Sequence, residues 1–315
     1  MPTDLVAPGE GLETLSPVNI VRGTHGQLIA FLVLNAWPAH FGLPVLLAIV
    51  FFSKKIYRHI TFINLCVVFI IIGISASLLF YDGSIEGPEP SRMLCLWQAS
   101  LLYGMPGLSS TAVLMLVLYL FLVIRAHYNG TEYLDREHYL QVLAMSLSPY
   151  VVYMIFVIAT AIIGANNPER VSRSRRFFYC SLDFLPLTNA LTIVSATILF
   201  VTFVLEVWTA VMLIKQYKIR RDNIPEVKKL DISLPIRIII FGFYVIIAMS
   251  LSLLSTTSPE SPVPDLMIAS GATVVLLIFG TQKDILGVLF FRKMHTSSPV
   301  RRAYSIDLKS EFSTP

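Results

Sequence analysis

MLCLWQASLLYGMPGLSSTAVLMLVLYLFLVI, residues 93–124, contains no aspartate, glutamate, lysine or arginine. A hydrocarbon core about 30 Å thick is crossed by about 20 helical residues, and this stretch is longer than that. Lipid supplies no water to backbone N–H and C=O groups, so a spanning segment is a helix or part of a closed barrel. Barrel strands alternate apolar and polar residues over about ten positions, and here apolar side chains follow one another without alternation. The stretch therefore reads as a transmembrane helix, and its length predicts a tilt.

Working outward, six further stretches read the same way: 27–52, 60–81, 140–164, 184–214, 236–256 and 264–282. This predicts an all-α polytopic membrane protein. A seven-helix transmembrane domain over 27–282 follows an N-terminal segment, 1–26. After it, residues 283–294 place apolar side chains among basic ones in a run too short to span, the pattern of an amphipathic helix lying on the inner membrane face. Residues 295–315 are polar and short of core-forming side chains, so disorder is expected there. Charged residues make up only 14% of the chain, and its mean hydropathy is +0.70, which excludes an ordinary soluble domain. The net charge of +4 says little about nucleic acid, because charge is segregated by side of the membrane rather than gathered into one basic face, so no nucleic-acid partner is expected.

Lysine and arginine concentrate on the cytosolic side of membrane proteins. With the N-terminus outside, only Arg22, Arg92, Arg170, Arg173, Arg175 and Arg176 fall on the outer side, leaving 18 of the 24 basic residues inside. The expected arrangement is an extracellular N-terminus and a cytosolic C-terminus. Four of the six exceptions share one outer loop, 170–176. The first residues lack the basic start and apolar core of a cleaved signal, so the first helix is expected to serve as its own anchor. The single glycosylation sequon, Asn129-Gly130-Thr131, then lies in the cytosol and stays unmodified.

Of three cysteines, Cys66 lies within the second helix and reads as a buried apolar residue. Cys95, at the outer end of helix three, and Cys180, just before helix five, both face the oxidising side, where disulfides persist. A Cys95–Cys180 bridge across the bundle mouth is expected; the plain alternative is two separate thiols.

Seven helices, an outer N-terminus and this cysteine pair resemble a G-protein-coupled receptor, over residues 25–295. The phrases Gln98-Ala99-Ser100-Leu101-Leu102-Tyr103-Gly104, Ser109-Ser110-Thr111-Ala112-Val113 and Phe279-Gly280-Thr281-Gln282-Lys283-Asp284-Ile285-Leu286 are similar to the orphan seven-helix receptor-like proteins of basidiomycete fungi. The signature motifs of rhodopsin-like receptors are largely missing. Helix three ends Ile124-Arg125-Ala126-His127-Tyr128, helix six has neither tryptophan nor proline, and helix seven ends Phe279-Gly280-Thr281-Gln282. The resemblance implies a plasma-membrane receptor that senses an extracellular small molecule or peptide and couples to a heterotrimeric G protein, with residues 283–294 as the family's eighth helix. It implies no cofactor.

Helix bundles place ligand sites between helices, with apolar walls and a few polar groups. By depth, the pocket candidates are Trp97, Gln98, Tyr103, Tyr153, Asn189, Thr192, Ser250 and Ser270. Polar residues within the bilayer face the bundle interior, so each is also explained by contacts between helices, and Trp97 by the aromatic belt at the interface. Pro106, between Gly104 and Gly107, is a candidate hinge or a fixed bend. Glu206, an acidic residue in the inner half of helix five, is a candidate switch or a side chain reaching toward the inner interface. Arg125, Lys215, Lys218, Arg220, Arg221, Lys228 and Lys229 are candidate contacts to a G protein, and anionic lipid headgroups account for the same charges. In the tail, Ser298 precedes a proline and Ser305 follows Arg302 by three residues, which makes both candidate phosphorylation sites.

The competing function is a channel or transporter, which calls for repeats or paired intramembrane charges that the sequence does not display. A retinal-type pump needs a lysine midway along helix seven, and none occurs there. Enzymatic and metal-dependent chemistry needs clustered His, Asp or Glu, which the helices lack, so neither catalytic nor metal-binding residues are assigned.

Overall fold

The computed structural model describes residues 24–53, 58–85, 89–131, 138–173, 178–222, 233–255 and 262–289. Apart from one short ribbon and a 3-10 turn at Pro168–Arg170, the regular structure of these residues is a set of helices: α1 (His25–Phe52), α2 (Ile60–Ala76, prolonged by the turn Leu78–Tyr81), α3 (Arg92–Tyr128), α4 (Tyr139–Asn166), α5 (Leu185–Asp222), α6 (Ser233–Ser255), α7 (Val263–Gly280) and α8 (Lys283–Leu289). Helices α1, α3, α4, α5 and α7 are long and apolar enough to cross a membrane, while α2 and α6 hold shorter apolar stretches, Ile60–Ala76 and Pro235–Ala248. Large apolar side chains such as Phe41, Phe51, Ile155, Phe200 and Trp208 are exposed on the bundle exterior, a surface suited to lipid and costly in water.

Helix α3 runs through the middle, against α2, α4, α5 and α6. Its own packing starts from small residues. A β-carbon on Gly104 would lie 2.5 Å from the Tyr153 ring, so glycine lets α4 bring that tyrosine onto α3. Elsewhere aromatic rings join α2, α6 and α7. Phe279 lies 4.9 Å from Phe62 and 5.9 Å from Phe241, which in turn lies 6.1 Å from Phe69.

Helix boundaries follow local chemistry. Thr24 and Gln27 form a capping box, each side chain accepting the other's backbone N–H, which starts α1 at His25. Pro38 does not break α1. The helix widens over Pro38–Gly42 into a π-turn in which Leu43 N–H bonds Pro38 O, one of the ways a helix in lipid absorbs proline. In α4, Ser148 Oγ donates to Met145 O at 3.4 Å, the carbonyl that Pro149 leaves without its helical donor.

Helix α2 breaks at Ser77, where Phe80 N–H bonds Ser77 O instead of Ala76 O. The Ala76 carbonyl is taken by the Gln98 side chain at 3.4 Å. Helix α5 continues two turns past the expected end at 214. Lys215, Lys218, Arg220 and Arg221 therefore lie on a helix rather than in a loop. Lys, Gln and Arg favour helix, and Pro225 opposes its continuation.

The sequon has a structural role. Asn129 caps α3, Gly130 takes a left-handed turn with φ of 72°, and Thr131 N–H and Oγ both donate to Ala126 O, at 2.9 and 3.0 Å. Asn-Gly-Thr is here a helix stop. The seven residues of α8 carry Ile285, buried against α1. Residues 290–294 of the expected amphipathic helix and the tail with Ser298 and Ser305 lie outside the described residues.

Candidate ligand cavity

Between α4 and α5 the chain forms a ribbon, β1 (Val171–Ser172) paired antiparallel with β2 (Ser181–Leu182), register Val171 to Leu182. Cys180, beside β2, is disulfide-bonded to Cys95 of α3, with α-carbons 5.3 Å apart. Gln98, one turn further along α3 and 0% exposed, accepts the Cys180 backbone N–H at 3.0 Å. It thereby links the bridge to the Ala76 break in α2. Tyr103 O–H donates to Leu182 O, and Phe178 stacks on Phe31 of α1, ring centroids 4.9 Å apart. The ribbon is thus fastened to α1, α2 and α3.

Two of the arginines that depart from the charge rule belong to this same assembly. Arg173, 5% exposed, donates from Nη1 to Ser84 O and Ile85 O at 2.8 and 2.9 Å. Arg170 lies 5.9 Å from the Phe184 ring centroid. Arg173 is thus buried against loop carbonyls, while Arg170 is exposed beside the Phe184 ring. Arg175 and Arg176 lie outside the described residues.

Beneath the ribbon is a cavity of about 160 Å³, bounded by α1, α2, α3, α5, α6 and α7. Aromatic side chains supply much of its wall: Phe31, Phe69, Tyr103, Tyr179 and Tyr244. Asp265, at the start of α7, accepts the Tyr179 hydroxyl at 2.9 Å. Helix α7 loosens at Ser270, and the Met267 carbonyl there receives both Tyr244 O–H and Ser270 O–H at 2.7 Å. Asn35 donates to Phe31 O at 2.9 Å and also borders the space.

The eight pocket candidates divide sharply. Tyr103 and Thr192 line the cavity. Ser270 stands behind it, holding Tyr244. Gln98 is a tie for the loop, and Tyr153 is buried in the α3–α4 contact at Gly104. Trp97, 58% exposed, points away from the bundle, and Asn189 and Ser250 are also on exposed faces. Depth alone does not tell which face of an apolar helix turns inward. Helix α5 contains a signal that does: Thr188, Ser195, Thr202 and Thr209 recur every seventh residue, and the last three are fully buried. That spacing marks the inward face and points to Ser195, a cavity residue that depth did not single out.

Pro106 lines the cavity within an unbroken α3. Ser109 and Ser110 donate to Met105 O and Pro106 O at 2.9 and 2.6 Å. Glu206 is 0% exposed and neither carboxyl oxygen has a hydrogen-bond partner. It lies inside the α5–α6 contact, not at an interface with solvent.

At the opposite end of the bundle, Arg125 and Lys215 are exposed. Lys218, Arg220 and Arg221 occupy the last turns of α5, and Lys228 and Lys229 lie outside the described residues. Arg58, before α2, donates to Gln282 Oε1. Arg237 of α6 donates to Ile278 O and, at 3.0 Å, to Thr281 Oγ1. By residue type alone these two arginines are indistinguishable from the other inner-side charges. Among the described residues no three His, Cys, Asp or Glu side chains gather as a metal site. Comparison with known proteins returned no matching family model and no matching curated sequence.

Proposed function

We propose that the chain is a seven-helix receptor of the G-protein-coupled kind, similar to the orphan receptor-like proteins of basidiomycete fungi. It binds a small extracellular molecule and acts on a heterotrimeric G protein. In this reading α2 with its added turn and α6 also cross the bilayer. The 23 residues of α6 are about 34 Å long at 1.5 Å per residue. Seven crossings and the charge bias support, in this reading, an N-terminus outside and a C-terminus in the cytosol, with the receptor at the plasma membrane.

The observation that carries the proposal is the cavity. It lies at the disulfide-bearing end, is lined by side chains of six helices and the ribbon, and combines aromatic walls with a few polar groups, the makeup of a small-molecule site. The far end carries the basic last turns of α5, exposed Arg125 and the arginine contacts to α7, a surface suited to an acidic protein partner and to anionic lipid alike.

The test is nucleotide exchange by purified heterotrimers added to the protein in nanodiscs, over a panel of small nutrients and pheromone-like molecules. Ligand-dependent exchange supports the proposal. Passage of an ion or solute into liposomes, with no exchange for any ligand, replaces it with the transporter reading.

A further inference from the structure

We infer that the cavity takes a small, non-anionic aromatic molecule, about one ring with a short hydroxyl- or carbonyl-bearing arm, hydrogen-bonded by Ser195 and Ser181. The inference rests on reading the cavity as a ligand site, as proposed above.

Size sets the first limit. The lining runs from Leu102 to Ser109 on α3 and from Thr188 to Ser195 on α5, a rise of about 10 Å in each case at 1.5 Å per residue. An engineered cavity of about 150 Å³ accommodates benzene, and this one, at about 160 Å³, is of that order. A ring with a short arm fits this depth and volume, whereas a folded peptide does not.

Charge sets the second. Among the described residues no lysine, arginine or histidine lines the cavity, and its one carboxyl group, Asp265, accepts the Tyr179 hydroxyl. A carboxylate or phosphate would find no counter-charge among them. Desolvating an anion without one costs several kcal/mol.

The hydroxyls supply the positive argument. A serine or threonine in an apolar helix ordinarily bonds back to the carbonyl four residues earlier, and on these helices Ser100, Ser109, Ser110, Thr197, Thr202 and Thr209 all do so. Ser195 does not. Its hydroxyl, like that of Ser181 on β2, is buried with no hydrogen-bond partner, and both residues border the cavity. Both oxygens are occluded in this conformation, and a single χ1 rotation re-aims a serine hydroxyl. Buried orphan oxygens call for a partner, and two neutral hydroxyls match a neutral polar arm.

The test uses two molecules with one carbon skeleton: 2-phenylethanol and phenylacetate. Binding to the full-length protein in detergent is followed by calorimetry, with thermal unfolding confirming that each variant is folded. The expected result is saturable binding of the alcohol below about 10 mM, at least about tenfold tighter than the acid. Ser195→Ala and Ser181→Ala should each weaken it about fivefold, the net value of one hydrogen bond. Equal or tighter binding of the acid overturns the inference. So does uptake that never saturates, or that is the same in the Ser195→Ala and Ser181→Ala proteins. Saturable, serine-dependent binding without G-protein exchange leaves the ligand assignment standing and removes only the receptor reading.

Discussion

The carboxyl group of Glu206 on α5 rests on the α-carbon of Gly242 on α6: a β-carbon built at Gly242 would lie 1.4 Å from Oε1. The acid occupies the space that the missing side chain provides, and the two positions form one packing unit.

Gly242→Ala should therefore lower the unfolding temperature of the detergent-solubilised protein by several degrees, consistent with an overpacking cost of about 1–3 kcal/mol. Glu206→Ala in the same chain should recover most of that loss, because it removes the group the methyl meets. Strictly additive effects in the double-mutant cycle would show that the two side chains do not interact. Glu206→Gln keeps the shape without the ionisable group and should leave stability equal or higher.

At the disulfide-bearing end of α3, Gln98→Leu should be more damaging than its volume suggests. It strands the Cys180 N–H and the Ala76 carbonyl together, at about 1–3 kcal/mol for each buried group left unpaired. Cys180→Ala should cost a comparable amount, within the typical 2–4 kcal/mol for losing a disulfide. Thermal unfolding of the two variants and of the wild-type protein, with and without reductant, checks both. A Gln98→Leu protein as stable as wild type would mean that the Gln98 tie adds nothing to the bridge and the other loop contacts.

Glycosidase treatment of the protein expressed in a secretory host should produce no mobility shift, and Asn129→Gln should run with wild type. Gly130→Ala should nevertheless destabilise, because alanine is strained at a φ of 72° by about 1 kcal/mol. A shift that disappears in Asn129→Gln would invert the proposed orientation.

Replacing Arg220 and Arg221 with alanine separates the two partners of the basic turns. In detergent without anionic lipid, ligand-driven nucleotide exchange should fall while ligand affinity changes by no more than an allosteric coupling of about 1–3 kcal/mol. Unchanged exchange would assign the two charges to lipid.

The helices were legible because lipid demands long unbroken apolar runs, and that demand is written residue by residue in segments such as 93–124. Their ends were less legible. The start of α1 depends on the Thr24–Gln27 box, and the end of α5 on basic residues whose helix propensity outlasts the apolar stretch. The cysteine pair could be read from topology and compartment, and the structure contains that bridge. Cavity residues were harder, since a helix apolar on every side does not announce which face turns inward. Trp97 and Gln98 are neighbours, yet one points out of the bundle and the other is fully enclosed. Arg173 was hidden for another reason: its partners are backbone carbonyls of a distant loop, which no residue type identifies.

Arg58 and Arg237 grip nearby residues at the end of α7, one at Gln282 and the other at Ile278 and Thr281. The next residue, Lys283, begins α8. A displacement of α6 at this end must either pull the final turn of α7 with it or detach Arg237, and whatever moves that turn also pulls on the root of α8, whose Ile285 is seated against α1. The terminus of α7 is in this sense a mechanical junction: three helices and the segment before α2 meet at one knot, and none can be shifted without loading the others.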